Sequence, residues 1–373
     1  MLKQTPLYQD IVKNGAKIVD FHGWALPLDY GSMLRETQTT RTQASLCDVS
    51  HMGQIRIEGA DALGLLQSLS TNDISAMKGG DAQYNVFTTE RGTIIDDFLV
   101  YRTKDSFLCV VNASNKKKDL DWLRANTAGS TEIIDESDEA TLLSLQGPAS
   151  AKIMEAVAGG EVLSLTYMHF GTFMIAGFPC MISRTGYTGE DGFEIYTEAK
   201  YVSLLWDIIV AKGAQWGMGL AGLGARDILR IEAGYCLYGN ELDETTTPLE
   251  AALDWIVKAE KKDFLGKKQL LASVKEGVQR KRVGFIMEEK AVPRKGYLIC
   301  SYEDEQPIGT VSSGTYSPNL DQYIGMGYVS ANFSMAQTPL KIKIREKLYK
   351  AKVVALPFVP YRHSGMVGAS IHK

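Results

Sequence analysis

The chain has 373 residues, of which 45% are hydrophobic and 23% are charged, and its formal net charge is −4. A chain of this length holds about two or three domains. The composition is that of a globular protein with a large buried core, which excludes a mainly disordered chain. The small negative charge gives no general electrostatic reason to bind nucleic acid or an anionic membrane, so we expect neither as a partner.

Targeting signals and metal-binding patterns are not evident in the sequence. The N-terminal residues have neither the apolar core of a signal peptide nor an arginine-rich run, and no segment approaches the roughly 18 apolar residues that span a bilayer. The five cysteines are scattered and never form a C-x-x-C pair, which is typical of a reducing compartment. The five histidines are equally dispersed. We therefore expect a cytoplasmic protein that holds no metal.

Hydrophobic periodicity predicts a compact α+β unit in the first part of the chain. Residues 1–50 mix helix and loop, and the elements that follow suggest a β-α-β-β-α-β order over about a hundred residues. Strands are predicted over residues 54–59, 84–88, 93–101, 106–111 and 141–145, and helices over 61–69 and 116–125.

A second α+β region follows, and the chain then changes character. After Val283, short strands separated by Gly, Pro, Asn and Ser predict a small β-barrel or sandwich. The basic stretch 258–282 is interpreted as a helical linker or a solvated face. In the second region we predict helices over residues 149–156, 202–210 and 248–257, and a hairpin over 173–185.

Two adjacent acidic residues, Asp96 and Asp97, interrupt an otherwise apolar strand. Side chains alternate along a strand, so only one of the two can face a given cavity, and we expect Thr93, Ile95 and Leu99 on the face of Asp97. A carboxylate among apolar residues is either hydrogen-bonded or has a raised pKa, and both conditions suit an acid, a base or a charge stabiliser. The alternative is a carboxylate that caps a turn or a bulge.

Residues 184–194 (RTGYTGEDGFE) carry three glycines at intervals of three. Glycine permits a tight turn or a close approach of the backbone to a ligand. Tyr187 would then supply a stacking ring and Glu194 a carboxylate acceptor. The alternative is a glycine-rich hairpin without a ligand, which the spacing alone slightly favours.

Residues 217–222 form a G-x-G-x-x-G sequence, the pattern of a dinucleotide-binding loop. Such a loop requires a strand directly before it, whereas a helical pattern and a polar stretch precede it here, so we do not predict NAD binding. In the next helix Arg226 and Arg230 share a face. Arg226 can clamp a carboxylate of a ligand, or it can pair with Asp227 or Glu232.

Further short motifs accompany these segments in a fixed order. Together they resemble one family, the aminomethyltransferases (T-proteins) of the glycine cleavage system, almost from end to end. The motifs are residues 5–7 (TPL), 20–24 (DFHGW), 48–53 (DVSHMG), 71–73 (TND), 95–97 (IDD), 111–113 (VNA), 146–148 (QGP), 184–194, 222–227 (GLGARD), 263–267 (DFLGK), 313–314 (SG), 317–318 (SP) and 324–329 (IGMGYV).

The resemblance implies an α+β fold of three domains arranged as a cloverleaf around a central folate channel. A discontinuous folate-binding domain is expected over residues 1–52 and 140–265. A ferredoxin-like domain over residues 53–139 interrupts it, and a small C-terminal β-barrel domain is expected over residues 280–373.

The resemblance also implies a reaction. Such proteins take an aminomethyl group from the lipoyl arm of the H-protein, release ammonia and pass the carbon to tetrahydrofolate as 5,10-methylenetetrahydrofolate. Tetrahydrofolate is then a substrate, lipoylated H-protein is the partner, and no metal is implied.

By motif position, the resemblance implies that Asp97 is the essential acid near the pterin nitrogens and that Glu194 binds the amino-pyrimidine edge. Two donors lie side by side on that edge, and one carboxylate can accept both. The chain departs from the family pattern at residues 91–93 (RGT), at Met168 and at His22. The other folate-binding residues that the resemblance implies are Tyr187, Arg226, Tyr84, Asn112, Val110, Met52, Tyr167 and Arg362.

Two other functions belong to the same scaffold. Tetrahydrofolate-dependent demethylases would use the same pterin site with a different methyl donor, and the intact residues 184–194 and 222–227 argue against them. A non-catalytic folate-binding accessory protein of iron–sulfur maintenance would resemble a K-G-C-Y-x-G-Q-E signature, which this chain lacks.

Overall fold

A computed structural model of the chain describes residues 1–127 and 129–363. The fold is α+β, as predicted, with a six-stranded sheet, a five-stranded sheet, a closed six-stranded barrel and a two-stranded hairpin. The helices are α1 (Tyr8–Lys13), α2 (Met33–Thr42), α3 (Ala62–Leu69), α4 (Lys116–Ala125), α5 (Ser150–Ala158), α6 (Val202–Gly213), α7 (Leu223–Glu232) and α8 (Lys267–Glu276).

The strands alternate with these helices in the first two thirds of the chain and dominate the last third. They are β1 (Lys17–Phe21), β2 (Trp24–Asp29), β3 (Ser45–Asp48), β4 (Gly53–Glu58), β5 (Ala82–Thr88), β6 (Ile94–Arg102), β7 (Ser106–Val111), β8 (Glu132–Asp135), β9 (Ala140–Gln146), β10 (Phe170–Ile175), β11 (Phe178–Ser183), β12 (Gly192–Glu198), β13 (Gly219–Leu220), β14 (Arg280–Met287), β15 (Leu298–Ser301), β16 (Pro307–Ser317), β17 (Gln322–Ser330), β18 (Pro339–Ile344) and β19 (Lys347–Val354).

The five-stranded sheet has the order β5-β6-β7-β4-β8 and is antiparallel throughout. It contains one strand more than the predicted β-α-β-β-α-β order, because three consecutive strands connect α3 to α4. Apolar residues of α3 and α4 pack on one face of the sheet, against residues such as Ile55 and Val100. The other face, which includes Tyr101 and Val110, packs towards the six-stranded sheet.

The six-stranded sheet has the order β10-β11-β12-β9-β3-β13. Along β9 and β12, Leu145 and Phe193 pack with α5 and α6 in a large apolar core. Leu142 and Tyr196 point to the opposite face and pack with residues of the five-stranded sheet. The two sheets therefore present one face each to the same interior space.

The C-terminal strands form a closed barrel with the order β14-β17-β16-β15-β18-β19. This resolves the predicted alternatives of barrel or sandwich, because β14 pairs with both β17 and β19. Its interior is filled by apolar side chains that include Phe285, Ile299 and Val311. Residues 364–373 of the predicted barrel domain lie outside the described residues.

For the segment that leads to the barrel, one prediction is wrong and another is confirmed in part. Residues 248–257 do not form an α-helix, because Ala252 has a φ of 56° and only Asp254–Ile256 forms a short 3-10 turn. The basic stretch 258–282 contains the expected helix, α8, but it is not simply a solvated face. Lys261 is buried, and its Nζ donates to the carbonyl oxygens of Ser70 (2.7 Å) and Asn72 (2.8 Å).

A buried arginine connects distant parts of the chain. Arg41 of α2 contacts the carboxylates of Glu190 at 2.9 Å and Glu232 at 2.8 Å, and it donates to the carbonyl oxygen of Thr188 at 2.7 Å. All three charged side chains are buried. Because a buried charge without a partner is strongly unfavourable, the three groups stabilise the fold only together.

We expect Arg41→Met to lower the free energy of unfolding by about 3–5 kcal/mol, because Glu232 is left buried without its cation and Glu190 keeps only the longer contact with Arg362 at 3.4 Å. The measurement is urea-induced and thermal unfolding. The control is Lys117→Met, which removes the exposed pair with Asp121 and is expected to cost less than about 1 kcal/mol. Equal losses in the two variants would contradict this interpretation.

Candidate active site

A cavity of about 1040 Å³ lies between the facing sides of the two sheets and is closed by α7 and by the loop that follows it. Its volume is at the upper end of the range of small-molecule sites. The structure brings nine of the ten predicted site residues to its wall: Met52, Tyr84, Asp97, Val110, Asn112, Tyr167, Tyr187, Glu194 and Arg226.

Arg362 is the predicted site residue that the structure does not bring to the cavity wall. Its Nη1 lies 3.3 Å from the carbonyl oxygen of Arg41 and 3.4 Å from Oε1 of Glu190. The guanidinium thus contacts the buried carboxylate of Glu190. The neighbouring Tyr361 lines the cavity instead.

Asp97 is held in the cavity by two donors. Tyr84 donates its hydroxyl to Oδ2 at 2.9 Å, and Nδ2 of Asn112 donates to Oδ1 at 2.8 Å. Burial, and then the charge of Asp96, raises the pKa of Asp97 to about 7, although both donors act against the rise. A carboxyl group with this pKa exchanges its proton near neutral pH, which suits general acid–base chemistry.

Asp96 and Asp97 point to opposite faces, as expected, and only Asp97 lines the cavity. The expected face partners are partly wrong. A bulge shifts the pairing of β6 with β5 so that Thr88 pairs with Ile94 and Phe87 with Asp96. Ile95 consequently packs in the core under α3 and α4, whereas Leu99 remains on the cavity side with Asp97.

Glu194 faces the cavity from β12, on the sheet opposite Asp97. Thr185 donates to its Oε2 at 2.5 Å, and burial raises its pKa. Arg184, a possible partner of Glu194, instead pairs with Asp191 at 2.6 Å. Glu194 therefore forms no ion pair with Arg184 across the hairpin, and its contact there is the hydroxyl of Thr185.

The glycine spacing of residues 184–194 has a packing explanation. A Cβ on Gly186 would lie 1.9 Å from Oε1 of Gln146, and one on Gly192 would lie 2.5 Å from Cδ of the same side chain. Gln146 in turn donates to the carbonyl oxygen of Thr185 at 3.1 Å. The glycines thus let the loop pack directly against the side chain of Gln146, and this close packing places Glu194 at the cavity wall.

Arg226 lies at the start of α7, with its guanidinium carbon 5.5 Å from the ring centroid of Tyr187. The alternative partners considered from the sequence are taken by other arginines. Asp227 pairs with Arg230 at 2.9 Å, and Glu232 pairs with Arg41. Arg226 is thus directed to the cavity, where its charge acts on Glu194.

Several cavity residues were not predicted from the sequence. Tyr235 stacks between Tyr187 and Tyr361, with centroid distances of 5.7 and 5.6 Å, and Trp255 stacks on Tyr84 at 6.0 Å. Residues 234–238 directly follow α7 and all line the cavity. The sequence signal that could have indicated these residues is the pair of tyrosines, Tyr235 and Tyr238, shortly after the predicted helix that contains Arg226.

Two further properties concern possible ligands. Within residues 1–127 and 129–363, no group of three His, Cys, Asp or Glu is arranged to hold a metal ion. Among the helices of those same ranges, none is long and apolar enough to cross a membrane.

Comparison with known proteins agrees with this architecture. Residues 7–261 match the GCVT N-terminal domain, and residues 280–360 match the glycine cleavage T-protein C-terminal barrel domain. The chain belongs to the glycine cleavage T-protein family. Within that family, an aminomethyltransferase of Halothermothrix orenii is 45% identical over 96% of this chain and 100% of its own length, and one of Bacillus mycoides is 41% identical over 96% and 98%.

A solved T-protein has the same fold. The crystal structure of the glycine cleavage system aminomethyltransferase T from Bartonella henselae superimposes with a TM-score of 0.90 at 35% identity, over 97% of this chain and 99% of that one. The predicted family, fold class and enzyme class are thereby confirmed. This T-protein family member is an aminomethyltransferase of the glycine cleavage system.

We expect Tyr84→Phe to move the acid limb of the pH profile of kcat/KM upwards by roughly half a unit or more. The substitution removes a donor that stabilises the ionised form of Asp97, so the pKa of Asp97 rises further. The matched control is Tyr316→Phe, which removes a similar hydroxyl–carboxylate bond to Asp321 on the barrel surface. A midpoint that is unchanged or lower in Tyr84→Phe would contradict the assignment.

Proposed function

We propose that the cavity binds tetrahydrofolate and that the enzyme transfers to it the one-carbon unit carried by the lipoyl arm of H-protein, with release of ammonia. The observation that carries the proposal is the pair of carboxylates, Asp97 and Glu194, that enter one cavity from opposite sheets. Aromatic rings line the space between them. The family uses tetrahydrofolate as a substrate, which supports this ligand.

Glu194 is proposed to recognise the pterin. Its carboxylate can accept the two donors of the amino-pyrimidine edge, and Arg226 favours its charged form. Burial opposes that charge, so hydrogen-bond donors of a bound ligand would lower the pKa of Glu194. Because Glu194 is stabilised by such donors, the site should prefer a flat ligand with two adjacent N–H groups.

Asp97 is proposed to act on the reacting atoms. As ammonia leaves, the carbon that is transferred becomes electron-poor, and an ionised Asp97 stabilises positive charge there. Its near-neutral pKa also lets it accept or return one proton during the transfer. Tyr84 and Asn112 fix both carboxylate oxygens and thereby fix the direction from which the group acts.

The partner and the division of the chain are also proposed. Membership of the family supports lipoylated H-protein as the donor of the aminomethyl group. Sheet membership supports a folate-binding domain over residues 1–52 and 140–265, a second domain over 53–139 and a barrel from residue 280. The five cysteines are free and buried, which supports a reducing compartment such as the cytoplasm.

The donor decides between this function and a demethylase. We expect tetrahydrofolate to bind in isothermal titration and one-carbon transfer to occur with aminomethylated H-protein, but not with small methylated amines. Transfer from a methylated amine, with none from H-protein, would overturn the proposal. Folate binding without transfer from either donor would instead indicate a non-catalytic folate-binding protein.

We expect Asp97→Asn to reduce kcat by at least about a hundredfold, because the variant can neither carry the charge nor exchange the proton. Folate affinity should stay within about tenfold, since the charge acts mainly in the transition state. The measurements are steady-state turnover and titration with tetrahydrofolate. Near-native turnover in Asp97→Asn, combined with an inactive Asp96→Asn, would place the chemistry on the other face of β6.

We expect Glu194→Ala and Glu194→Gln to weaken tetrahydrofolate binding by at least about tenfold, because donors of the bound pterin lose their acceptor. The control is Asp191→Asn, which loosens the ion pair with Arg184 in the same hairpin. This control should lower the melting temperature and leave folate affinity intact. A lower melting temperature with unchanged affinity in Glu194→Ala would exclude the ligand role.

A further inference from the structure

A third carboxyl group lies behind Asp97, outside the cavity. Asp119 is on α4, is fully buried, and accepts no hydrogen bond from any N–H or O–H group of the described residues at either oxygen. An ionised carboxylate in that position would be strongly unfavourable. Burial, and then the charge of Asp96, raises the pKa of Asp119 to about 11. The group is therefore a neutral carboxylic acid at physiological pH.

The carboxyl group of Asp119 lies on the side of α4 that meets Asp96. Asn115 and Asp119 are one helical turn apart, with the N–H of Asp119 bonded to the carbonyl oxygen of Asn115 at 2.9 Å, and Nδ2 of Asn115 donates to Oδ1 of Asp96 at 2.6 Å. Two carboxyl groups buried side by side repel each other unless one of them carries a proton, which it can then donate to the other. The other neighbours of Asp96 are all donors: the backbone N–H of Asn112 at 3.2 Å, its Nδ2 at 2.9 Å and Nδ2 of Asn115 at 2.6 Å. Within the described residues, Asp96 thus accepts three hydrogen bonds and donates none, and these donors favour its ionised form although burial raises its pKa.

Asn112 connects this buried pair to the cavity. Its Nδ2 lies 2.9 Å from Oδ1 of Asp96 and 2.8 Å from Oδ1 of Asp97. A continuous row of side chains therefore leads from Asp119 through Asp96 and Asn112 to Asp97. The charge of Asp96 is close enough to raise the pKa of Asp97.

We propose that Asp119 is a positioning residue for the reaction: the proton that it keeps holds Asp96 ionised, and that charge sets the proton affinity of Asp97. The inference rests on the proposed role of Asp97. Asp119 touches neither the cavity nor a substrate and acts only through Asp96.

The tyrosine and cysteine side chains around this row do not change charge between pH 5 and 9. Burial raises the pKa of each neighbouring tyrosine and cysteine, so these groups stay neutral. Nζ of Lys118 donates to the carbonyl oxygen of Ile95 at 2.6 Å and to the hydroxyl of Tyr238. The neutral neighbours are Tyr84, Tyr187, Tyr238, Cys109 and Cys236.

The first test is kinetic and compares three variants with the native enzyme. Asp119→Leu removes the donor to Asp96 and makes the charge of Asp96 less favourable, so the pKa of Asp97 should fall. The midpoint of the acid limb in the pH profile of kcat/KM should then move down by at least about half a pH unit. Asp96→Asn removes the charge directly and should shift the limb in the same direction. Asp119→Asn still offers an N–H donor and should restore the native midpoint, as should the surface control Asp121→Asn on the same helix.

The second test does not depend on turnover or on correct folding of Asp119→Leu. In the infrared difference spectrum of native enzyme minus Asp119→Asn at pH 8.5, we expect the C=O band of a protonated carboxylic acid. Carboxylate bands in that spectrum would overturn the inference, as would a native acid limb in Asp119→Leu. If Asp97→Asn keeps native turnover, the proposed role of Asp97 fails, and the role of Asp119 fails with it. If Asp97→Asn is inactive and Asp119→Leu is unshifted, only the role of Asp119 fails.

Discussion

The two buried ion pairs of α7 hold together the parts of the chain that enclose the cavity. Glu232 contacts Arg41 of α2 at 2.8 Å and accepts the hydroxyl of Ser317, in the barrel, at 2.5 Å. Two residues earlier, Arg230 contacts Glu241 at 2.6 Å. A shift of α7 that separated either pair would leave an uncompensated charge in the interior, so the two pairs fix the position of the helix among its neighbours. Arg226, on the first turn of the same helix, is thereby fixed relative to both sheets.

The facing sheets explain why two separate sequence segments form one site. Side chains alternate between two sides along β6 and β12. On one side, β6 packs in the core under α3 and α4 and β12 packs in the core with α5 and α6; on the other side, both strands face the space between the two sheets. Asp97 and Glu194 occupy such positions, on the five-stranded and six-stranded sheets respectively. Neither segment alone contains a cavity, because each strand supplies only one wall.

Local patterns predicted most of the elements, and the failures have physical causes. The alternation of polar and apolar residues predicted strands β4 to β7, and the apolar spacing of residues 202–210 predicted α6. The segment 248–257 has helical spacing, but Ala252 adopts a left-handed conformation that the spacing does not reveal. The bulge at Ile95 depends on its pairing with β5, which is a contact between strands and not a property of β6 alone.

The site residues were predicted by resemblance more than by chemistry. The sequence alone left Asp97 and Glu194 with two interpretations each, since a buried carboxylate, like a glycine-rich hairpin, is compatible with a structural role. The observation that Arg184 pairs with Asp191 excludes an ion pair between Arg184 and Glu194 as the explanation for that carboxylate. The contact of Arg362 with Glu190 could not be predicted, because the two residues lie far apart in sequence and nothing local to the C-terminal segment indicates that contact.

The two carboxylates of the cavity differ because their neighbours differ in charge. Asp97 has an ionised carboxylate behind it, which adds to the effect of burial and keeps proton exchange near neutral pH. Glu194 has the cation of Arg226 nearby, which partly offsets its burial. A ligand that displaces water from the cavity strengthens both effects, because charges interact more strongly in a medium of lower dielectric constant. The neighbours therefore suit Asp97 to moving a proton and Glu194 to holding a charge against the donors of a bound ligand.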